Sequence, residues 1–204
     1  MQKIFITGID TDSGKTLAAA ILCEALHADY WKPIQSGTPR DTDTVKALVS
    51  NTKSVFHTEH YLLQTPASPH MAARLENRTL HLSDIQLPAT QNHLIVEGAG
   101  GCLVPVNQHE FVIDIAVQFN LPVVLVADLY LGSINHSLLT ANLLKQKNIH
   151  VKGIIFNGEP NPDSESIILH HTGYKKLLHI VKEKTIDKSI VLKYAAMVKA
   201  TLHD

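Results

Sequence analysis

One short stretch limits what this chain can become more than any other. Thr7-Gly8-Ile9-Asp10-Thr11-Asp12-Ser13-Gly14-Lys15-Thr16 follows an apolar β-type run, Ile4-Phe5-Ile6, and opens onto an apolar helical run from Leu17 to Leu26. Strand, glycine-containing turn, Gly-Lys-Thr and helix are the parts of a loop that cradles phosphate. Backbone N–H groups of the turn and of the open helix N-terminus face an anion. Gly14 lets the backbone approach without a Cβ, Lys15 adds a point charge on the phosphates, and the Thr16 hydroxyl suits a Mg²⁺ site. Five residues separate Gly8 from Gly14, where the common pattern has four. A chance Gly-Lys-Thr at a helix start is the alternative, and the placement of strand, turn and helix argues against it.

A chain of 204 residues suits one domain, residues 1–204, with a sizeable core. Hydrophobic residues make up 45% and charged residues 18%, the proportions of a globular protein. The formal net charge of −1 gives no basic stripe for nucleic acid and no attraction to an anionic membrane. The 13 His turn the net charge positive below about pH 6.5. Neither His170-His171 nor His57-x-x-His60 has convincing metal-ligand spacing. Cys23 and Cys102 are far apart, so no disulfide framework is indicated, and Cys23 reads as a small core residue. No signal peptide fits in front of the first strand, and the longest apolar run, Leu121 to Leu131, carries Asp128 and is too short to span a bilayer. A cytoplasmic location is the expectation.

Strand and helix signals alternate, which predicts an α/β fold with a mostly parallel sheet flanked by helices. Strands are predicted at Lys3 to Thr7, Asp29 to Lys32, His93 to Glu97, Pro122 to Ala127 and His150 to Phe156, with a weak one around Leu177 to Val181. Helices are predicted at Lys15 to His27, from near Asp41, from Pro69 with Ser68 as N-cap, over Val112 to Phe119, from Gly132, and around Ser189 to Leu202. Residues 52–69 read as irregular, and Pro160 and Pro162 as chain breaks. The first helix is apolar on nearly every side, so its outer face needs a cover. A subunit interface is the preferred cover, and a helix of the same chain is the alternative.

Open α/β sheets bind ligands outside the carboxyl ends of their strands, and the polar oddities gather there. Glu97 ends an apolar strand, where a nucleotide enzyme places a carboxylate beside Mg²⁺; the bland reading is a capping or salt-bridging Glu. Asp43 is a second carboxylate candidate, though an exposed Asp at a helix start is equally a cap. Asp128 also ends a strand and by position competes with Glu97. The small residues Gly98, Ala99, Gly100 and Gly101 let backbone approach a ligand. Lys32 sits at a strand end before Pro33, where a buried ammonium is costly without an anion and suits a transferring phosphoryl group or a developing anion. Ser36 and Gly37 would complete a small polar pocket.

Together these segments resemble the dethiobiotin synthetases, members of the P-loop NTPase fold. The resemblance rests on Thr7-Gly8-x-Asp10-Thr11-x-x-Gly14-Lys15-Thr16, Lys32-Pro33-Ile34-x-Ser36-Gly37, Ser68-Pro69-His70, Val96-Glu97-Gly98-Ala99-Gly100-Gly101 and Leu131-Gly132-x-Ile134-Asn135-His136, and the longer phosphate loop is that family's own. It implies an ATP-dependent ligase of biotin synthesis that closes the ureido ring of dethiobiotin. The substrates are 7,8-diaminononanoate, CO₂ and MgATP, the intermediates a carbamate and a carbamic–phosphoric anhydride, and the by-products ADP and phosphate. By matching position, Lys32, Lys15 and Thr11 would be catalytic. Asp12, Ser13, Gly14, Lys15, Thr16 and Leu17, with Glu97 to Gly100, would hold the nucleotide, and Asn157 the adenine. Thr16, Asp43 and Glu97 would hold Mg²⁺. Thr11, Asp12, Lys32, Ser36 and Gly100 would line the diamine pocket, and Gly132, Ser133, Ile134 and Asn135 would bind the substrate carboxylate from the second subunit of a homodimer.

The sequence departs from the family at Asp12, where Glu is common, and at Ser13, where an aliphatic residue is usual. It has Leu178-His179-Ile180-Val181-Lys182 near the end in place of a Gly-x-Ile-Pro stretch. Two other classes share the loop. Cobyrinate-type amidating enzymes also carry a glutaminase domain for which this length leaves no room. Partition or septum-site switch ATPases place a Lys early in the loop, where this chain has Asp10.

Overall fold

The computed structural model describes residues 1–202. Its elements in order are β1 (Lys3–Gly8), α1 (Lys15–Leu26), β2 (Asp29–Trp31), β3 (Ile34–Ser36), α2 (Asp41–Leu48), β4 (Phe56–His57), β5 (Tyr61–Leu63) and α3 (Pro69–Leu75), then, after a short 3₁₀ turn, β6 (Leu94–Gly101), α4 (Asp114–Gln118), β7 (Val123–Asp128), α5 (Ser133–Gln146), β8 (Val151–Asn157), α6 (Pro162–Thr172), β9 (Lys176–Ile180) and α7 (Lys188–Leu202). Seven strands form one parallel sheet in the order β4-β2-β6-β1-β7-β8-β9, and β3 pairs in parallel with β5 beside it.

Strand alternation sorts the core into two layers. Ile4 and Ile6 of β1 face a cluster with α1, α2 and α7, and Phe5 faces the opposite cluster with Trp31, Val96 and Val112. Strand β1 is buried from Ile4 to Gly8 and lies between β6 and β7. All strands run the same way, so the segments after β1, β2, β6, β7 and β8 emerge on one edge. That edge carries the phosphate loop, Lys32, Glu97, Asp128 and Asn157.

The cover of α1 belongs to the same chain. Ala18 through Cys23 are fully buried, and Val191, Tyr194, Ala195, Val198 and Leu202 of α7 share their cluster. The subunit interface expected there is therefore corrected: the C-terminal helix folds back over the first one. The irregular stretch 52–69 contains two short strands, because β4 extends the main sheet and β5 pairs with β3. Pro162 does not break the chain but opens α6, whose N-cap Asn161 accepts a hydrogen bond from the Ser164 amide; proline is favoured in a first helical turn, where its missing N–H costs nothing. The strand expected to end at Glu97 runs on to Gly101. Both cysteines are free and buried.

Substituting Asp for Val198 places an unpaired carboxylate in the α1–α7 seam. It is expected to lower the unfolding free energy by at least about 3 kcal/mol in a urea titration. Asp at Met197, which is exposed on the same helix, should leave the midpoint nearly unchanged.

Candidate active site

The phosphate loop is held by its own backbone. Ser13 is buried and its hydroxyl donates to the Asp10 carbonyl at 2.9 Å, so the polar residue at this position serves as an internal tie. The Lys15 ammonium folds over the turn and donates to the carbonyls of Asp10 at 2.8 Å and Thr11 at 2.7 Å. Gly14 has φ 93° and no side-chain cap precedes α1, which leaves the first-turn N–H groups open to an anion. A Cβ at Gly14 would lie 2.5 Å from Asn157 Nδ2. Asn157, at the end of β8, packs there and donates to the Ser13 carbonyl at 3.1 Å. Leu17 continues α1 as a half-buried residue.

Beside the loop lies a buried charge cluster. Glu97 ends the apolar part of β6 and is 1% exposed. It accepts from the Thr16 hydroxyl at 3.0 Å, from Tyr30 Oη at 2.9 Å and from Lys32 Nζ at 3.1 Å. Lys32, 4% exposed, also pairs with Asp41, whose other oxygen lies 3.1 Å from the Thr16 hydroxyl. Burial alone pushes the Lys32 ammonium down, but Glu97 and Asp41 outweigh it and hold it above its ordinary value. At Lys15 burial, then repulsion from Lys32, outweighs the raising effect of Glu97, Asp41 and Asp10 and lowers it to about 8.

Of the residues expected to hold Mg²⁺, the structure brings Thr16 and Glu97 together but not Asp43. Asp43 is exposed and bonded to Arg40, away from Thr16. The carboxylate brought to Thr16 is Asp41, at the first position of α2, with its backbone N–H bonded to the Gln35 side chain at 3.1 Å. Thr16, Asp41 and Glu97 present a hydroxyl and two carboxylates at one point, where a single hydroxyl proton cannot serve both acids. Mg²⁺ takes one or two carboxylates plus phosphate oxygens, so this donor set fits it. Asp128 does not compete: it lies outside the set, and burial pushes its carboxyl up. Tyr30 and Asp41 are the residues that sequence reasoning missed. Tyr30 had a signal, since it stands two residues before Lys32 and so shares its strand face; Asp41 had none that separated it from Asp43.

A pocket of about 410 Å³ adjoins the cluster, walled by Thr11, Lys32, Ser36, Asp41, Ser68 and Gly100 among others. The Ser36 hydroxyl is buried there without a partner among the described residues, an acceptor or donor held for something else. Gly100 has φ 68°, and a Cβ would meet Val104 at 2.7 Å, so the strand end must be glycine to turn beside Thr11. Gly98 and Ala99 continue β6 toward this wall. Asp12 is exposed and is not among the pocket's lining residues.

Gly132, Ser133, Ile134 and Asn135 stand apart at the start of α5, also outside this lining. Around them Leu103, Tyr130, Leu131, Ile134 and Leu139 are exposed apolar residues. A second cavity of about 610 Å³, with Asp10, Leu103, Val104, His136 and Leu139 in its walls, runs between α5 and the segment after β6.

The chain matches the family model described as AAA domain over residues 2–189. It is 55% identical to the ATP-dependent dethiobiotin synthetase BioD of Cytophaga hutchinsonii over 96% of each chain. It is 44% identical to the protein of the same name from Christiangramia forsetii, over 95% of this chain and 94% of that one. Among solved structures it resembles a ParA family ATPase from Chlorobium tepidum at 14% identity with a TM-score of 0.58, covering 99% of this chain and 95% of that chain. It also resembles the MinC:MinD cell division complex of Aquifex aeolicus at 12% identity and TM-score 0.59, over 100% and 94%. At such identities these two structures show the fold alone.

Asp41→Asn is expected to weaken Mg²⁺-dependent nucleotide binding at least about tenfold, the factor 1.4 kcal/mol represents, while Asp43→Asn leaves it within about twofold; calorimetric titration with and without Mg²⁺ separates the two. Phosphate favours the charged form of Lys15. Nucleotide affinity should therefore be full below about pH 8 and fall as pH rises through that value, with a proton taken up on binding. Titrations in buffers of different ionisation enthalpy read that proton directly.

Proposed function

The chain belongs to the dethiobiotin synthetase family, and on that footing we propose that it closes the ureido ring of dethiobiotin from 7,8-diaminononanoate, CO₂ and ATP, releasing ADP and phosphate. The observation that carries the reading is the single polar wall shared by the phosphate loop and the 410 Å³ pocket: Lys32, Thr11 and Asp41 line that pocket, while Lys32 and Asp41 also join Glu97 and Thr16.

The reaction begins when one amine of the diamine adds to CO₂ and loses a proton, leaving a carbamate. Ser36 and Thr11 offer hydroxyls, and Lys32 a buried cation, for that anion. The carbamate oxygen then takes the γ-phosphoryl group of ATP. Lys15 and the open N–H groups of α1 position the phosphates, and Lys32 stabilises charge on the transferring group. Thr16, Asp41 and Glu97 would hold Mg²⁺, which would supply charge neutralisation on the phosphate oxygens. The second amine, kept close by the pocket, attacks the activated carbonyl, expels phosphate, and loses a proton as the ring closes; holding both amines together supplies the effective concentration for this step. Asn157 faces the adenine from its seat on Gly14.

The homodimer belongs to this reading. The exposed apolar residues from Leu103 to Leu139 border the Gly132–Asn135 turn, and a partner covering them would bring that turn over the other subunit's pocket, where its open N–H groups suit the substrate carboxylate. A cytoplasmic setting, where ATP is supplied, goes with it. No helix among the described residues is long and apolar enough to cross a membrane.

The decisive experiment is a product assay. ADP, phosphate and dethiobiotin should appear only when diamine and bicarbonate are both present; ATP turnover indifferent to the diamine would overturn the reading. Lys32→Ala should cut kcat by at least about a hundredfold while nucleotide affinity changes far less. Leu139→Glu should give monomers on sedimentation with a raised KM for the diamine and unchanged nucleotide binding.

A further inference from the structure

Tyr30 is one of the largest side chains sealed inside the molecule, with none of its surface exposed. It stands on β2 in register with Ile95 of β6, and Lys32 and Glu97 each follow two residues later on the same side of the sheet. At the level of Tyr30 that side is apolar: Ile95, Ala18 and Ile21 of α1 and Val45 of α2 belong to its cluster. A leucine or a phenylalanine would suit such surroundings. A buried phenol also needs a partner for its hydroxyl. The ring carries that hydroxyl up to the polar edge, where it donates to Glu97 Oε2 at 2.9 Å.

The two oxygens of Glu97 thereby have separate tasks. Oε1 takes the Thr16 hydroxyl at 3.0 Å and Lys32 Nζ at 3.1 Å, beside the phosphate loop. Oε2 takes the phenol, on the side of the core. Asp41 is divided in the same way, with Oδ1 toward the Thr16 hydroxyl and Oδ2 on the Lys32 ammonium. Each acid therefore offers one oxygen to the point they share with Thr16. Turning Glu97 to offer both would break the Tyr30 bond, and Tyr30 has no exposed surface on which water could replace it. Cations differ in what they ask of such an acid. Mg²⁺ is small and holds near-octahedral geometry, whereas Ca²⁺ is larger, takes more oxygens and often takes both from one carboxylate.

We propose that Tyr30 is a positioning residue that sets metal specificity: by holding Glu97 Oε2 in the core it leaves Glu97 one metal-facing oxygen, and so favours Mg²⁺ over Ca²⁺ in the nucleotide site. Tyr30 acts through Glu97, not by touching metal or nucleotide. The inference rests on the reading that Thr16, Asp41 and Glu97 hold the metal of a metal–nucleotide complex. It adds which divalent cation they select and which core residue makes the selection.

The test is calorimetric titration of the full chain with β,γ-methylene-ATP, in saturating Mg²⁺ and separately in saturating Ca²⁺. The ratio of the two affinities is the metal preference, and comparing it between wild type and Tyr30→Phe cancels the nucleotide's own preference between the cations. Phenylalanine keeps the ring in the core and removes the donor. The preference for Mg²⁺ is expected to fall at least about fivefold in the variant, with the Ca²⁺ complex gaining on the Mg²⁺ complex. An equal loss with both cations is what a merely structural tyrosine would give, and it overturns the proposal, as does a preference that is unchanged or raised. Wild-type protein whose nucleotide affinity is indifferent to both cations overturns the metal reading and the inference with it. If Tyr30→Phe does not fold, Tyr30→Met, which is unbranched and has no hydroxyl, takes its place with the same expected fall, and a wild-type preference in that variant overturns the proposal.

Discussion

The structure depends on the need to compensate a cation buried at the mouth of the sheet. Lys32 is nearly as inaccessible as the core around it, and a bare ammonium there would cost many times the energy of an ordinary hydrogen bond. Its charge is balanced by Glu97 and Asp41, and each of those is fixed by a different segment. Glu97 comes from the central strand β6 and Asp41 from the first turn of α2. Thr16, which both acids reach, comes from α1. The three elements are therefore locked in register by one set of charges, and that set lies beside the phosphate loop.

Sheet order makes the cluster possible. The crossover that carries the chain from β1 by way of α1 to β2 leaves a gap beside β1, which β6 later fills. Glu97 thereby arrives between the phosphate loop and Lys32. The neighbouring strands β7 and β8 bring Asp128 and Asn157 to the same edge, on the other side of the loop. One flank of the loop thus carries the Lys32 charge cluster and adjoins the small-molecule pocket; the other carries Asp128 and is closed by Asn157. In the proposed function, phosphoryl transfer falls to the first side and the base to the second.

Much of this was legible in the residues. The phosphate loop, the strand-ending Glu97 and the lone Lys32 are local patterns: a few neighbours in sequence, a period of two or of 3.6, a glycine where no Cβ fits. The parallel α/β class followed from their alternation, and most strand positions followed within a residue or two. The departures have common causes. The short strands β4 and β5 and the helix α6 are stabilised by partners rather than by their own pattern, so Pro162, which reads in sequence as a break, opens a helix. Asp41 and Asp43 have the same local environment in sequence, and only the direction in which α2 enters decides which of them meets Thr16.

The sequence by itself determined the chemistry available to this protein: a loop that binds phosphate, a buried cation at a strand end, and an acid to oppose it. These are short-range properties, set by backbone conformation and by the cost of leaving charge unpaired. The tertiary structure alone decided which acid meets Thr16 beside Glu97, that α7 rather than another subunit covers α1, and that His179 reaches back to the Gly158 carbonyl at the end of β8. Each of these depends on contacts between segments far apart in the chain, whose relative placement is fixed only when the two faces of the sheet are packed.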